Sequence, residues 1–236
     1  MTGALRGGII AAGLGTRLKR DGYRVPKPMI PVAGRPLIEH ALDRFRAAGV
    51  RHVTVIVNEE SDDCRQWLHD HCGDFDLDLI VRTTPSSYAS FRLVADKLAG
   101  QPALITTVDS IMGPDAFQLF VRTAAALPND AFALGLTAHV DDDKPLWADL
   151  DASGRVRRLG GTSGACVTAG LYWLPANPPA APADFSRLRD YLKWLVESGA
   201  PVHGVVLPQV FDIDRAHDVE AAESAGLGIR PETMLS

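Results

Sequence analysis

Apolar runs and amphipathic stretches take turns along the first half of this chain, and that alternation restricts the fold more than any other feature. Residues 8–12 form a short apolar run of the kind found in a strand buried on both faces. Residues 36–48 place apolar side chains at helical spacing through Leu37, Ala41, Leu42, Phe45 and Ala48. The pattern continues with strands over 53–57 and 77–81, helices over 62–71 and 87–98, and a strand over 103–108 that runs into Asp109. Parallel strands need a crossover, usually a helix, so this order predicts an α/β fold. The expected form is a Rossmann-like, open, mostly parallel sheet with helices on both faces.

The second half is less regular. Strands are expected over 132–139 and 167–174, separated by a polar stretch that holds Asp141, Asp142, Asp143 and Asp151. A Pro/Ala-rich loop over 177–182 precedes a helix over 185–198, a strand over 202–207 and a last helix over 216–225. No repeat, low-complexity tract or linker interrupts the chain. The expectation is a single domain over 1–236, with one half over about 1–110 and the other over about 111–236.

With 236 residues, 46% of them apolar, the chain can bury a sizeable core. Its net charge of -5, with both signs scattered, offers no basic stripe for a nucleic acid. No apolar run approaches the length of a membrane span. Cys64, Cys72 and Cys166 are few and odd in number, and the start is too short and mixed for a secretory signal, so a cytoplasmic setting with free thiols is expected.

The first strand runs into a glycine turn, Ala11-Ala12-Gly13-Leu14-Gly15-Thr16, with Arg17 just beyond it. Small residues let a backbone approach a nucleotide, and free N–H groups then face phosphate oxygens. Arg17 stands where a guanidinium would give a bidentate contact to phosphate. A dinucleotide fingerprint would need a glycine at position 18, which is Leu, and a Walker loop would need Gly-Lys-Ser/Thr, which is missing. The turn alone would also suit a plain strand-to-helix connection. A second motif follows, however, in Pro26-Lys27-Pro28-Met29, whose prolines stiffen an extended segment and hold Lys27 near the same place.

Ala11 to Leu18, Pro26-Lys27-Pro28-Met29 and Pro31-Val32-Ala33-Gly34-Arg35-Pro36-Leu37-Ile38 together resemble the signature of the nucleoside-diphosphate-sugar pyrophosphorylase superfamily. That superfamily includes sugar-1-phosphate nucleotidyltransferases and the cytidylyltransferases for choline and polyol phosphates. The resemblance implies a glycosyltransferase-A-like nucleotidyltransferase fold, an NTP and a phosphorylated small molecule as substrates, and a homo-oligomer. It also implies Mg2+, which bridges the two phosphates and is held by Asp109 and, position for position in Phe211-Asp212-Ile213-Asp214, by Asp212. Val108 stands where relatives more often have Gly, and Asp214 where they have Gly or Asp. Arg17 and Lys27 are the implied catalytic cations, with Ala11 to Thr16 around the nucleotide.

The loop after the third strand, with Arg82, Pro85 and Ser87, is implied beside the base, although Arg82 and Ser87 replace the usual Gln and Gly. Ser86 or Ser87 would equally well cap the next helix. On the acceptor side the usual Glu-Lys-Pro is missing. Lys144, before Pro145, is the candidate cation there, with Arg158 as a second and a solvated lysine as the plain alternative. Val167 to Tyr172 resembles the strand that faces the acceptor, with Gly170 leaving room; Tyr172 suits the core equally well.

The leading reading is therefore transfer of a nucleoside monophosphate onto a sugar 1-phosphate with release of pyrophosphate. A cytidylyltransferase for an alcohol or polyol phosphate is the alternative, and a catalytically silent nucleotide-binding regulator comes from a different class. A metal-dependent glycosyltransferase would account for Asp212-Ile213-Asp214 but not for the Gly15-Thr16-Arg17 and Pro26-Lys27-Pro28 pair. Cys64, His69, His71 and Cys72 match no common zinc spacing, and Trp67, Trp147, Trp173 and Trp194 are too dispersed for a base-stacking platform. The last helix is expected to close the fold, without the left-handed β-helix of some larger relatives.

Overall fold

The computed structural model describes residues 5–140, 144–182 and 184–228, so the acidic run at 141–143 lies outside the described residues. The predicted alternation is present in the first half. Strand β1 (Arg6–Ala11) leads to a short helix α1 (Thr16–Arg20), and β2 (Pro31–Val32) and β3 (Arg35–Pro36) form a two-stranded ribbon. Helix α2 (Leu37–Ala47), β4 (His52–Val57), α3 (Asp62–His71), β5 (Asp76–Val81), α4 (Ser87–Leu98) and β6 (Ala103–Thr107) follow. Strands β1, β4, β5 and β6 pair in parallel in the order β6-β1-β4-β5, with a helix in each connection between them.

Beyond β6 the chain departs from that regularity. Strand β7 (Ser110–Met112) and helix α5 (Pro114–Ala125) precede β8 (Phe132–Thr137), and a hairpin of β9 (Trp147–Leu150) and β10 (Val156–Leu159) precedes the long β11 (Cys166–Leu174). Helix α6 (Leu188–Glu197), β12 (Val202–Leu207), β13 (Val210–Asp212) and α7 (Ala216–Ser224) complete the described chain. Strand β11 runs antiparallel to both β6 and β8, while β12 pairs in parallel with β8. The sheet is thus mostly parallel, with β11 reversed between its two halves and β10 reversed in the hairpin beside it.

Both faces are covered. Ile9, Val53, Val55 and Val57 pack with α2, α3 and α5 on one side. Ile56, Ile105, Leu134 and Leu136 pack with α4 and α6 on the other. Helix α5 was not anticipated. Its buried Ala116, Phe117, Phe120 and Ala124 have helical spacing, and Pro114 occupies the first turn, where its missing N–H costs nothing. Its signal was therefore present in the sequence. The short β9 and β10 gave no such signal, because only one or two side chains of each are buried.

Candidate active site

The glycine turn wraps a lysine. Gly15 has φ of +60°, and a Cβ there would sit 3.0 Å from the Cβ of Lys27. A larger residue would meet both backbone strain and a clash, so glycine lets β1 turn tightly over the Lys27 stem. Lys27 itself begins a single 3-10 turn, with Pro26 extended before it and the Met29 N–H bonded to the Pro26 carbonyl at 2.8 Å. Leu18, buried, anchors α1 and leaves Arg17 half-exposed at the mouth of the turn.

The Lys27 ammonium is buried between two carboxylates. Its Nζ donates to Asp109 Oδ2 and to Asp214 Oδ1, each at 2.5 Å. Arg17 Nη1 donates to the other Asp214 oxygen at 3.0 Å. Burial by itself would pull the Lys27 pKa down, but Asp109, Asp212 and Asp214 outweigh it and hold the ammonium protonated. For Asp109, burial opposes the charged form, while Lys27 and the Thr107 hydroxyl overcome it and keep the carboxyl below the usual range.

Pairing of β7 with β13 brings the carboxylates together. Asp212 lies opposite Ser110, and the Ile213 N–H bonds to the Asp109 carbonyl at 3.0 Å. Asp109 sits where β6 ends, at the carboxyl edge at which open α/β sheets bind ligands. Asp214 is held by its backbone: Asp218, buried in the first turn of α7, accepts from the N–H groups of Asp214 at 2.8 Å and Arg215 at 2.7 Å. Asp218 thus caps the last helix, where a negative charge also suits the helix dipole.

From this cluster a cleft of about 180 Å³ opens along β11, walled by Asp109, Asp212, Thr168, Gly170, Tyr172 and Arg189 among others. Gly170 has φ of +67° at a bulge in β11, and a Cβ there would come within 2.0 Å of Ser110 Oγ. The bulge folds β11 tightly against the turn that carries Asp109. Tyr172 is both core and cleft: its ring packs edge-on to Phe91, and the residue also lines the cleft. Burial, with Asp109 and Asp212 adding to it and Arg189 opposing, pushes the phenol well above its usual range.

Other expected residues are placed elsewhere. Ala11 is buried, Ala12 half-buried, and Gly13, Leu14 and Thr16 exposed, so the turn presents backbone to its surroundings. Arg82 and Pro85 line a separate cavity of about 540 Å³ with Tyr88 and Arg92, and it shares no described lining residue with the first. Ser86 Oγ accepts from the Ala89 N–H at 3.1 Å and caps α4, whereas Ser87 Oγ accepts from the Leu188 N–H at 3.0 Å and ties α4 to α6. The capping alternative therefore applies to Ser86. Lys144 is exposed and is not part of the cleft wall, and Arg158 is bound to Asp149 and to the Gly160 and Ser163 carbonyls.

Sequence reasoning gave no role to Asp214, Arg189 or His139, all of which border this region. Only Asp214 carried a signal, as the second acid of Asp212-Ile213-Asp214. Cys64 and Cys72 are buried, and burial pushes their thiols up to about 12 and about 11. His71 stacks on Trp67 and His69 pairs with Asp70.

Among the described residues, no helix is long and apolar enough to cross a membrane. The model of the MobA-like NTP transferase domain matches residues 7–170. A CMP-5'-(3-aminopropyl)phosphonate synthase from Streptomyces rubellomurinus is 30% identical over 183 residues, which is 72% of this chain and 28% of that protein. The bifunctional protein GlmU of Symbiobacterium thermophilum is 29% identical over 64% of this chain and 29% of its own length. The chain therefore spans under a third of these curated relatives. The inositol-1-phosphate CTP transferase structure from T. maritima superposes with a TM-score of 0.77 at 18% identity, over 98% of this chain and 100% of that one. With the matched region reaching from β1 to Gly170, and so taking in the glycine turn, Lys27 and Asp109, the chain belongs to the MobA-like NTP transferase domain family.

Proposed function

We propose that this protein transfers a nucleoside monophosphate from an NTP to a phosphorylated small molecule, a sugar 1-phosphate in the leading reading, and releases pyrophosphate. The observation that carries the proposal is the Lys27 ammonium, buried between Asp109 and Asp214, with Arg17 on the same Asp214 and a polar cleft alongside. An acceptor oxygen attacks the α-phosphorus in line, the bond from that phosphorus to the β-phosphate bridge oxygen breaks, and pyrophosphate leaves with the electron pair. An ionised phosphate needs no general base, so orientation and neutralisation of charge carry the rate. Lys27 and Arg17 hold the triphosphate and stabilise charge on the departing pyrophosphate, while the Ala11–Thr16 turn offers backbone N–H groups.

Asp109, Asp212 and Asp214 outnumber Arg17 and Lys27 by one formal charge, so an anionic triphosphate needs a cation with it. Asp109 and Asp212 supply hard oxygen donors, a set that fits Mg2+, which one or two carboxylates plus substrate phosphates commonly hold. Bound there, Mg2+ would neutralise the phosphoryl oxygens. Arg82 and Pro85 are the proposed base contacts, and reduced thiols at Cys64, Cys72 and Cys166 suit the cytoplasm.

A second reading, cytidylyl transfer to an alcohol, polyol or related phosphorus acid, draws support from the S. rubellomurinus relative, a CMP-phosphonate synthase by name. The test is pyrophosphate release from each of the four NTPs with Mg2+, against sugar 1-phosphates, alcohol phosphates and alkylphosphonates. Release that requires one NTP, one acceptor and Mg2+ is expected. NTP binding without release from any pair would instead leave a silent nucleotide-binding protein.

A further inference from the structure

The cleft beside Asp109 and Asp212 presents a charge problem. An acceptor that carries a tetrahedral phosphorus anion must approach two carboxylates, and its own oxygens need positive donors. Lys144 is not part of the wall, and Arg158 is engaged with Asp149 and two carbonyls at the β10 edge. Among the described lining residues, Arg189 is the one arginine or lysine.

Arg189 stands in the first turn of α6, next to Leu188, whose N–H is fastened to Ser87. Its Nη2 donates to the Lys144 carbonyl at 2.8 Å, which orients the guanidinium. A guanidinium has five N–H donors in a fixed fork, so this bond leaves donors for a ligand and sets their direction. Arg189 lines the same cleft as Asp109, Asp212 and Tyr172. Across the cleft, His139 packs on Phe211 with ring centroids 4.6 Å apart, and its buried Nε2 has no partner. Thr137, Thr168 and Ser110 add hydroxyls.

We propose that Arg189 binds the phosphate or phosphonate anion of the acceptor. This rests on the nucleotidyltransferase reading of the same site. Arg189 reaches the acceptor from α6, a helix that Ser87 ties to the base-side loop.

Two measurements test it. With the NTP and acceptor found by the pyrophosphate assay, Arg189→Ala should raise the acceptor KM about 10- to 100-fold and leave the NTP KM within about twofold, as expected when one charge-assisted bidentate contact is lost. Arg189→Lys should lie between, and guanidinium chloride should restore part of the loss in Arg189→Ala. An unchanged acceptor KM, or equal loss on both substrates with a lowered melting temperature, overturns the assignment. Independently of turnover, calorimetric titration with methyl phosphate and methylphosphonate should show weaker binding to Arg189→Ala than to the unaltered protein. The tighter of the two probes tells an ester acceptor from a phosphonate. Equal binding to both proteins, or binding to neither, overturns it. Probe binding that depends on Arg189 with no release from any NTP-acceptor pair would sink the transferase reading alone.

Discussion

The Lys27 cluster and the Arg189 cleft share Asp109, and they treat charge in opposite ways. In the first, each cation already has a carboxylate: Lys27 bonds Asp109 and Asp214, and Arg17 bonds Asp214. In the second, the Arg189 fork has one carbonyl partner described and His139 Nε2 has none. A preassembled ion-pair cluster keeps its geometry before ligand arrives, which limits the reorganisation needed during reaction. An open polar cleft leaves its donors for whatever enters. On the proposed function, the chemistry belongs to the first region and acceptor choice to the second.

The largest effect should come from breaking the cluster at its centre. Lys27→Ala leaves Asp109 without its buried partner, and we expect pyrophosphate release to fall about 100- to 1,000-fold and stability to drop by about 3 kcal/mol. Rate assays and urea denaturation check the two parts, and near-wild-type activity would remove Lys27 from the mechanism. Asp214→Asn keeps the shape but removes the charge shared by Arg17 and Lys27. It should lower kcat about 10- to 100-fold, as misoriented groups do, with the acceptor KM little changed.

On the cleft side, Gly170→Ala forces a Cβ against Ser110 and Thr107 at a positive φ. We expect a loss of about 2 kcal/mol in stability, with the acceptor KM raised more than the NTP KM. Equal effects on both Michaelis constants would show that the two regions are not separable. A smaller effect involves His40, whose Nε2–H donates to the Val32 carbonyl at 2.9 Å beneath the β2–β3 ribbon. Burial holds its pKa down at about 4, against 6.5 for the free side chain. The unfolded chain therefore binds the proton first, so stability is full above about pH 6.5 and is lost as pH falls towards 4. Denaturation midpoints across that range should decline less steeply in His40→Gln. The smallest expected effect is Ser86→Ala, about 1 kcal/mol for a lost helix cap, seen as a lower melting temperature with both Michaelis constants unchanged.

Much of the first half was legible because its signals are local. The expected helices over 62–71 and 87–98 coincide with α3 and α4, and the strand over 202–207 coincides with β12. Each is written in side-chain periodicity and in the residues that bound it. Helix α5 carries the same kind of local signal, with Ala116, Phe117, Phe120 and Ala124 at helical spacing. The serines behaved differently. Ser86 caps its own helix, a contact three residues long, whereas Ser87 accepts from the Leu188 N–H at the start of α6, 101 residues away, which no local pattern could announce.

By itself, the amino-acid sequence determined the βα alternation, the glycine turn and the family motifs around Arg17, Lys27 and Asp109, since each depends on neighbours a few residues away. The tertiary structure alone decided that Asp214 serves both cations, that Arg189 rather than Lys144 walls the cleft, and that β11 runs against its neighbours. Those outcomes depend on the β7–β13 pairing and on where α6 docks. Such long-range contacts are chosen by packing and charge in three dimensions, and they leave no period or spacing along the chain.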